Sequence, residues 1–301
     1  MLKELTMRAG FVALIGAPNA GKSTLLNAMV GTKIAIVTHK VQTTRARLLG
    51  IALEGMSQLI FVDTPGIFKP KRRLDRAMVS AAWKGSGDAD ETVLLIDAER
   101  GINDEVEAII NKLQKSSRKV ILALNKVDLL KKEKLLVLVD KLNDVGVFTK
   151  IFMISALKGS GVQDLKVYLG GALPESPWLY PEDQITDVTQ RNLAAEITRE
   201  QIFLRLHHEL PYEINVETFD WKDMNNGSIR IEQNIHVSRN NHKGMVIGKG
   251  GKTLKKLGEL ARTEMKEIFG VNVHLFLFVK VSEAWDDNPF HYSDMGLDFV
   301  E

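Results

Sequence analysis

The stretch that decides the fold of this 301-residue sequence consists of Gly16, Ala17, Pro18, Asn19, Ala20, Gly21, Lys22 and Ser23. It matches G-x-x-x-x-G-K-[ST], a pattern typical of loops that cradle phosphate groups. The apolar run 11–15 before it predicts a buried strand, and residues 23–29 after it, which include Thr24, predict a helix. The alternative is a glycine-bearing turn that binds nothing.

The pattern assigns roles to the loop backbone and to two side chains. Two glycines let successive backbone N–H groups point at phosphate oxygens, and the N-terminus of the helix adds a favourable dipole. Lys22 is expected to reach the β- and γ-phosphates of a nucleotide, and Ser23 is expected to hold Mg2+. The first part of the chain is therefore predicted to bind a nucleotide.

Length and composition limit the class of protein. With 301 residues, of which 45% are hydrophobic and 26% charged, the chain predicts a globular protein of two domains. No run approaches the about 18 apolar residues of a membrane span, and residues 1–10 lack the apolar core of a signal peptide. We therefore expect a cytoplasmic protein without a transmembrane segment. The absence of cysteine excludes disulfides and thiolate metal sites.

A basic patch lies in the second half of the chain. Residues 230–266 carry nine Lys and Arg against three acidic residues, although the net charge of the whole chain is only +2. Such a patch is typical of a surface that binds a polyanion. A solvated helix face is the alternative that charge alone leaves open.

A long polar connection follows the first predicted helix. Residues 31–47 are rich in Thr, Lys and Arg and include Thr43 and Thr44. Long connections in compact domains are usually functional or disordered. A threonine at this place is the residue type that nucleotide-sensing loops use to complete a Mg2+ shell. We expect Thr43 rather than Thr44 to be the Mg2+ ligand.

The next candidate site residues end a predicted hairpin, whose strands are 47–53 and 59–62. They are Asp63, Thr64, Pro65 and Gly66. An acidic residue that leaves a buried strand after the phosphate loop predicts that Asp63 orients Mg2+, and Gly66 can offer its N–H to the γ-phosphate. Taken alone, the tetrapeptide is also a good turn.

Strands and helices alternate up to about residue 172. Helices are predicted at 74–83, 104–114 and 131–143, and strands at 92–97, 120–124 and 150–154. This alternation predicts an α/β domain with a mostly parallel sheet, helices on both faces and a binding crevice at the C-terminal ends of the strands.

Two of these strands end in residues suited to recognising a base. The residues are Asn125, Lys126, Val127 and Asp128 after one strand, and Ser155, Ala156 and Leu157 after the other. The Asp128 carboxylate can accept hydrogen bonds from N1–H and from the exocyclic amine of guanine, which adenine cannot supply. We expect Asn125 to brace the loop and the backbone at 155–157 to contact guanine O6.

The ordered set GAPNAGKS, QTTR, DTPG, NKVD and SAL resembles the five guanine-nucleotide motifs of the translation-factor-related GTPases, over residues 10 to about 172. The resemblance implies a P-loop GTPase domain. Many small GTPases place a water-orienting Gln directly after D-x-x-G, where this chain has Ile67, so we expect slow intrinsic hydrolysis. In P-loops that resemble this one, an asparagine at the position of Asn19 can hold K+ against the phosphates.

The pattern changes after residue 173. Prolines at 174, 177 and 181 interrupt the alternation and predict a linker at 174–186. A helix at 187–208, strands at 212–219 and 228–237, a helix at 253–269 and a strand at 272–281 follow. We therefore expect a GTPase domain at 1–173, a second, α+β domain at 187–282, and a tail at 283–301 to which the sequence assigns no role.

A glycine-rich loop marks the second domain. Gly248, Lys249, Gly250 and Gly251 form G-x-x-G between an apolar segment and an amphipathic helix. This arrangement resembles a KH domain, in which the loop clamps the backbone of about four single-stranded nucleotides. The positive charge for the phosphates would come from Lys243, Lys249, Lys252 and Lys256. An ordinary turn before a helix is the alternative.

A GTPase domain followed by one KH domain, with the segments QITD (184–187) and ELPY (209–212), resembles the Era-type GTPases of bacterial ribosome assembly. The resemblance implies binding near the 3′ end of small-subunit ribosomal RNA, a role in 30S maturation and peripheral association with the inner membrane. Two alternatives to a GTP-hydrolysing RNA-binding switch remain. One is a passive RNA-binding scaffold, and the other is an adenine-nucleotide enzyme, against which Asp128 argues.

Overall fold

The computed structural model describes residues 6–38, 40, 48–68, 70, 73–206, 214–282 and 298. The chain divides into two compact units. The first comprises Met1–Ala35, Thr44–Asp187 and Tyr292–Glu301, and the second comprises Ile36–Thr43 and Val188–His291.

The first unit is built on a six-stranded sheet with the strand order β2-β3-β1-β4-β5-β6. Its strands are β1 (Arg8–Gly16), β2 (Leu48–Glu54), β3 (Ser57–Asp63), β4 (Glu91–Asp97), β5 (Val120–Asn125) and β6 (Phe148–Met153). Its helices are α1 (Lys22–Val30), α2 (Arg73–Gly87), α3 (Asp104–Lys115), α4 (Lys132–Asn143) and α5 (Val162–Ala172). Only β2 runs antiparallel to its neighbour among these paired strands.

Helices cover both faces of this sheet because its central strands are apolar on both sides. On one face, Leu14 of β1 shares a buried cluster with Leu25 of α1 and Leu165 of α5. On the other face, Ile15 of β1 shares a cluster with Ile109 of α3. Because β1, β3, β4 and β5 are parallel, their C-terminal ends meet at one edge of the sheet, where the candidate motifs follow them.

The segment between α5 and residue 187 is hydrogen-bonded to the β2–β3 hairpin. The Ile51 N–H donates to the Ile185 carbonyl oxygen (2.8 Å), and the Leu49 N–H donates to Asp187 Oδ1 (3.0 Å). The Thr186 hydroxyl donates to the Leu49 carbonyl oxygen (2.7 Å). The predicted linker therefore lies against β2, to which hydrogen bonds attach its final residues.

The second unit is built on a three-stranded sheet with the order β7-β8-β9. Its strands are β7 (Ile214–Asp223), β8 (Ile229–Val237) and β9 (Val273–Val281), and its helices are α6 (Gln190–Arg205), α7 (Asn240–Ile247) and α8 (Lys252–Phe269). β7 is antiparallel to β8, whereas β9 is parallel to β8. On the helix-covered face of the sheet, Ile235 of β8 packs in one cluster with Ile202 of α6 and Leu257 of α8.

The mostly parallel first sheet and the α+β second unit confirm the predicted fold class. Most predicted helices and strands are present, with ends that differ by up to a few residues. Helix α7 is not predicted by the sequence, because Asn240, Asn241 and Gly244 are poor helix formers. No described helix is both long enough and apolar enough to cross a membrane.

Candidate functional site

The loop from Gly16 to Lys22 has the backbone geometry of a phosphate cradle. Gly21 precedes α1 with φ 99°, and Asn19 has φ 63°. A Cβ atom at Gly21 would overlap the Asn125 side-chain amide, so both the backbone angle and the space require glycine. The loop therefore turns tightly into the N-terminus of α1, where helix N–H groups and the helix dipole favour an anion.

Lys22 is buried inside this loop, with 6% of the residue exposed. Its Nζ donates to the carbonyl oxygens of Gly16 (3.1 Å) and Ala17 (3.0 Å). Burial lowers the pKa of Lys22 to about 8, and the nearby Asp63 and Glu105 charges partly oppose that effect. A phosphate placed in the cradle would raise this pKa again, because an adjacent negative charge favours the ammonium form.

Ser23 and Asp63 are brought together as the sequence predicts. The Ser23 hydroxyl donates to Asp63 Oδ2 at 2.8 Å, and Asp63 is fully buried at the end of β3. A hydroxyl and a carboxylate are the oxygen donors that Mg2+ takes beside phosphate oxygens. The Ser23 and Asp63 oxygens therefore fit an ion that a nucleotide also helps to hold.

The D-T-P-G turn packs directly on the phosphate loop. The Thr64 hydroxyl donates to the Leu14 carbonyl oxygen (2.8 Å), and the Ile67 N–H donates to the Gly16 carbonyl oxygen (3.0 Å). A Cβ on Gly66 would lie 3.1 Å from Pro18, so glycine permits this close approach. Pro65 and Gly66 are therefore placed beside the loop that is expected to hold the γ-phosphate.

Asn125 connects two of the candidate motifs. Its Nδ2 donates to the Ala20 carbonyl oxygen (2.8 Å), and its Oδ1 accepts the Ala156 N–H (2.9 Å). Asn125 is 2% exposed, so both hydrogen bonds are shielded from water. One side chain thus fixes the phosphate loop and the segment at 155–157 relative to each other, which agrees with the bracing role expected from the sequence.

The candidate base-reading residues lie beyond Asn125. Lys126 has φ 63° and turns the chain into a single 3₁₀ turn, Val127–Leu129, in which the Asp128 side chain is exposed. The Ser155 hydroxyl accepts the Lys158 N–H (3.2 Å), while Leu157 is 78% exposed. The two segments therefore present one carboxylate and one backbone turn at the same edge of the sheet.

Asp97 is a candidate site residue that the sequence analysis missed. Its Oδ2 accepts a hydrogen bond from Lys126 Nζ at 2.6 Å, and Asp97 is 5% exposed at the end of β4. In the sheet register Asp97 lies directly beside Asn125. The signal was present in the sequence, because an acidic residue that ends a buried strand next to a motif-bearing strand lies at the binding edge.

Two of the predicted switch residues, Thr43 and Thr44, lie outside the described residues. The tail at 283–301 lies outside them as well, apart from Asp298. The choice of Thr43 over Thr44 as a Mg2+ ligand therefore stays a prediction.

The G-x-x-G loop lies between α7 and α8 in the second unit. Gly248, Gly250 and Gly251 have φ angles of 72°, 60° and 75°. A Cβ on Gly248 would overlap the Thr253 side chain, whereas a Cβ on Gly250 would meet nothing within 4 Å. The loop is thus a bare backbone with positive φ angles that leads into the N-terminus of α8, where a phosphate can approach closely.

Lysines surround this loop. Lys249, Lys252 and Lys256 are exposed, and Lys243 on α7 is half-buried. Among described residues, Lys256 Nζ forms an ion pair with Glu259 at 3.1 Å. The hydrogen bond and the positive charge of Lys256 lower the pKa of Glu259. The predicted cationic surface is therefore formed by residues that reach solvent beside the glycine backbone.

The fold and these sites define a GTPase with a phosphate-binding loop in the first unit and a KH domain in the second. The family model described as "50S ribosome-binding GTPase" matches residues 11–126, and the family model described as "KH domain" matches residues 209–286. Curated relatives match along almost the whole chain. "GTPase Era" of Rhizobium meliloti (strain 1021) is 58% identical over 97% of this chain and 93% of the relative.

"GTPase Era" of Dinoroseobacter shibae is 57% identical over 97% of this chain and 96% of the relative. The chain belongs to the Era family of GTPases. The resemblance inferred from the motifs and the assignment of GTPase activity are thereby confirmed.

Two solved structures share the full architecture. A variant of Aquifex aeolicus Era bound to GDP and AlF4- is 39% identical, with a TM-score of 0.90, over 96% of this chain and 99% of that chain. An Era structure in complex with MgGDPNP and nucleotides 1506–1542 of 16S ribosomal RNA gives the same identity, TM-score and coverage.

Proposed function

We propose that this chain is a GTP-dependent switch that binds single-stranded ribosomal RNA near the 3′ end of the small-subunit RNA and acts in 30S subunit assembly. The observation that carries the proposal is the presence in one chain of two loops whose backbone suits phosphate, the braced phosphate loop and the basic G-x-x-G loop. The Era structure that holds both MgGDPNP and a 16S RNA segment supports it.

Three groups of residues hold GTP or GDP in this proposal. Residues 16–24 surround the phosphates, and Lys22 exchanges its two loop carbonyl partners for the β- and γ-phosphates. Residues 63–66 place Gly66 against the γ-phosphate, and residues 125–128 and 155–157 hold the guanine. Ser23 and Asp63 hold Mg2+ directly or through water, with Thr43 rather than Thr44 as the further ligand. When bound, Mg2+ neutralises charge on the β- and γ-phosphates.

Hydrolysis is slow in this proposal because no water-orienting side chain follows Gly66. Ile67 occupies that position, is 7% exposed and is fixed through its N–H to the Gly16 carbonyl oxygen. An apolar, packed side chain cannot orient the attacking water as Gln does. Faster hydrolysis must therefore depend on something other than residue 67, such as a bound cation or bound RNA.

A K+ ion at Asn19 is one source of such acceleration. Asn19 lies in the phosphate loop with φ 63°. If its side-chain oxygen holds K+ against the phosphates, GTP turnover should be several-fold faster in K+ than in Na+. Turnover measured in the two chloride salts at equal ionic strength tests this. The matched control is Asn19→Gly, which keeps the positive φ and removes the amide oxygen, so it should abolish the difference. Equal rates in both salts for the unaltered chain would reject K+.

The division of the chain supports the switching part of the proposal. Ile36–Thr43, which lead from α1 toward Thr44, cluster with the second unit. Within that unit, the Val37 N–H donates at 2.8 Å to Oε1 of Glu200, a residue that is 3% exposed. The chain continues in sequence from Val37 to the proposed Mg2+ ligand Thr43. We infer that a change around the γ-phosphate alters this segment and, through it, the RNA affinity.

We expect the affinity for RNA to differ between nucleotide states. The affinity of the intact chain for an oligonucleotide from the 3′ end of 16S RNA is measured with GDP, with GDPNP and without nucleotide. Linkage requires that RNA change the affinity for GDPNP by the same factor. Lys22→Ala is the control, because it should not bind the phosphates and should give one RNA affinity in all three conditions. Three equal affinities for the unaltered chain would favour the passive RNA-binding scaffold.

The rest of the proposal comes from the sequence. The family resemblance implies peripheral contact with the inner membrane. The sequence pattern predicts a cytoplasmic protein with domain boundaries at residues 173, 186 and 282.

A further inference from the structure

One face of the second unit's sheet is open and aromatic. Helices α6 and α8 pack against the other face, toward which Leu275, Leu277 and Val279 of β9 point. The alternate residues of β9 are exposed, among them Phe276 (44%) and Phe278 (46%). Phe219 of β7 is also 41% exposed. Three half-exposed phenylalanine rings on one sheet face are unusual for a solvated surface, where apolar residues normally occur singly.

Two of the three rings are in contact, and two cations lie over rings of this face. The Phe219 and Phe278 ring centroids are 5.9 Å apart. The Arg230 guanidinium lies 4.9 Å from the centroid of Phe276, and Lys280 Nζ lies 5.5 Å from the centroid of Phe219. Phe276 and Phe278 are two residues apart on one strand, which separates their attachment points by about 7 Å along the face. We name this surface, formed by Phe219, Arg230, Phe276, Phe278 and Lys280, the aromatic face.

A buried amide lies within the aromatic face. Asn234 of β8 pairs with Phe278 on one side and with Glu217 on the other, so its side chain is on the open side of the sheet. Asn234 is 4% exposed, and within the described part of the chain its Oδ1 accepts no hydrogen bond. Buried polar atoms in native proteins nearly always have a partner, so this oxygen is available for a donor that the described residues do not supply.

The charges of this face are balanced. Glu232 forms an ion pair with Arg230, and Asp220 lies 3.4 Å from Lys222. Glu217, which is hydrogen-bonded to His236 (3.1 Å), and Lys280 contribute one further charge of each sign. A nearly neutral surface does not attract phosphates strongly, in contrast to the lysine-lined G-x-x-G loop. Exposed rings with a hydrogen-bond acceptor among them suit the flat faces and N–H groups of nucleobases.

We propose that the aromatic face is a second RNA contact, where unpaired bases stack on Phe276 and Phe278 and a base N–H donates to Asn234 Oδ1. This inference rests on the proposed RNA-binding function and extends it beyond the G-x-x-G loop. That loop clamps only about four nucleotides, and other RNA-binding sheets stack two or three bases on exposed aromatic residues. Arg230 can stack on the far side of a base, since guanidinium planes also stack on bases.

The test separates stacking from phosphate binding. Phe276→Leu and Phe278→Leu keep an apolar side chain of similar size and remove the ring. We expect each to weaken binding of a single-stranded RNA of about 20 nucleotides by about 5- to 150-fold, the range for removing one stacked base. Binding of a four-nucleotide RNA should not change. The salt dependence of binding should also stay the same, because stacking releases no counterions.

Two variants serve as controls. Met224→Ala shortens an exposed apolar side chain in the turn between β7 and β8, and it should leave both RNA affinities unchanged. Lys249→Asp should weaken the binding of both RNAs and reduce the salt dependence of that binding. Normal RNA binding by Lys249→Asp would show that the G-x-x-G loop is not the RNA site, and failure of the unaltered chain to bind either RNA would overturn the proposed function itself. Normal binding of the long RNA by both Phe variants, with Lys249→Asp impaired, would overturn only the aromatic face.

A second measurement does not depend on variants. RNA that contains 4-thiouridine is crosslinked by light to the unaltered chain, and the peptides that carry RNA are identified by mass spectrometry. Crosslinks within 273–281 support the proposal, and their absence when the G-x-x-G loop is crosslinked overturns it. If the Phe variants bind naked RNA normally but fail to bind small-subunit precursors, the aromatic face binds a ribosomal protein and the RNA proposal is wrong.

Discussion

The double variant Lys249→Asp, Gly250→Asp is expected to bind RNA about 100-fold more weakly or worse, since like charges that face each other across an interface cost several kcal/mol. Both carboxylates would stand where phosphates must pass over the glycine backbone. Gly250 has φ 60° and free space around its missing Cβ, and Asp tolerates such left-handed angles better than most residues. The weaker binding should therefore arise from charge and not from unfolding.

The salt dependence gives the second readout of this experiment. On a single strand, every phosphate that the protein no longer neutralises lowers the slope of log K against log salt concentration by about 0.7. The affinity for GTP should stay nearly unchanged, because Lys249 and Gly250 belong to the second unit and the phosphate loop to the first.

The matched control is Lys249→Gln, Gly250→Asn, which introduces polar side chains without the negative charges. It should retain much of the affinity for RNA and lose only the contribution of the Lys249 charge. If the Asp variant and the Gln/Asn variant are equally weak, the loop acts through its backbone conformation. If both bind RNA normally, the G-x-x-G loop is not the RNA site.

The arrangement of the candidate nucleotide site could be predicted because its parts are local in sequence. Each motif is a short segment at the end of a strand, and a parallel sheet brings such ends together whatever the details of packing. The contact of Asn125 with both Ala20 and Ala156 follows from this geometry. Asp97 was missed because a single acidic residue after a strand is also a common turn residue.

The aromatic face was hidden for a different reason. In β9 the residues Leu275 and Leu277, which face the helices, alternate with Phe276 and Phe278, so the four central positions 275–278 are all apolar. A half-buried strand is recognised by alternation of apolar and polar residues, and this strand has none in its centre. Only the packing of α8 on one side shows which residues are left exposed.

The contacts of the predicted linker with β2 could likewise not be predicted from composition. Three prolines predicted a plain linker, but Ile185, Thr186 and Asp187 are hydrogen-bonded to β2. The partner of Asp187 is the backbone N–H of Leu49, the second residue of the strand that follows Thr43 and Thr44 in sequence. Pairings of this kind join residues far apart in the chain, and no local pattern encodes them.

Asp128→Asn is expected to lower the affinity for GTP by about 100-fold or more, because a site built around specific hydrogen bonds rejects a mismatched partner strongly. The carboxylate can accept from both N1–H and the exocyclic amine of guanine, whereas an amide offers one acceptor and one donor group. The amide donor would face the guanine amine, which is itself a donor. Xanthine carries a carbonyl oxygen at that carbon, so xanthosine triphosphate should bind the variant better than GTP.

The fold should tolerate this substitution, since the Asp128 side chain is exposed in the turn Val127–Leu129 and Asn has nearly the same shape. Affinities of both proteins for GTP, ATP and xanthosine triphosphate are compared by competition. Asp140→Asn, at an exposed position of α4, removes the same charge from the same unit and should leave all three affinities unchanged. An unchanged preference for GTP in Asp128→Asn would remove Asp128 from base recognition. A gain of ATP binding would instead show that Asp128 acts mainly to exclude adenine.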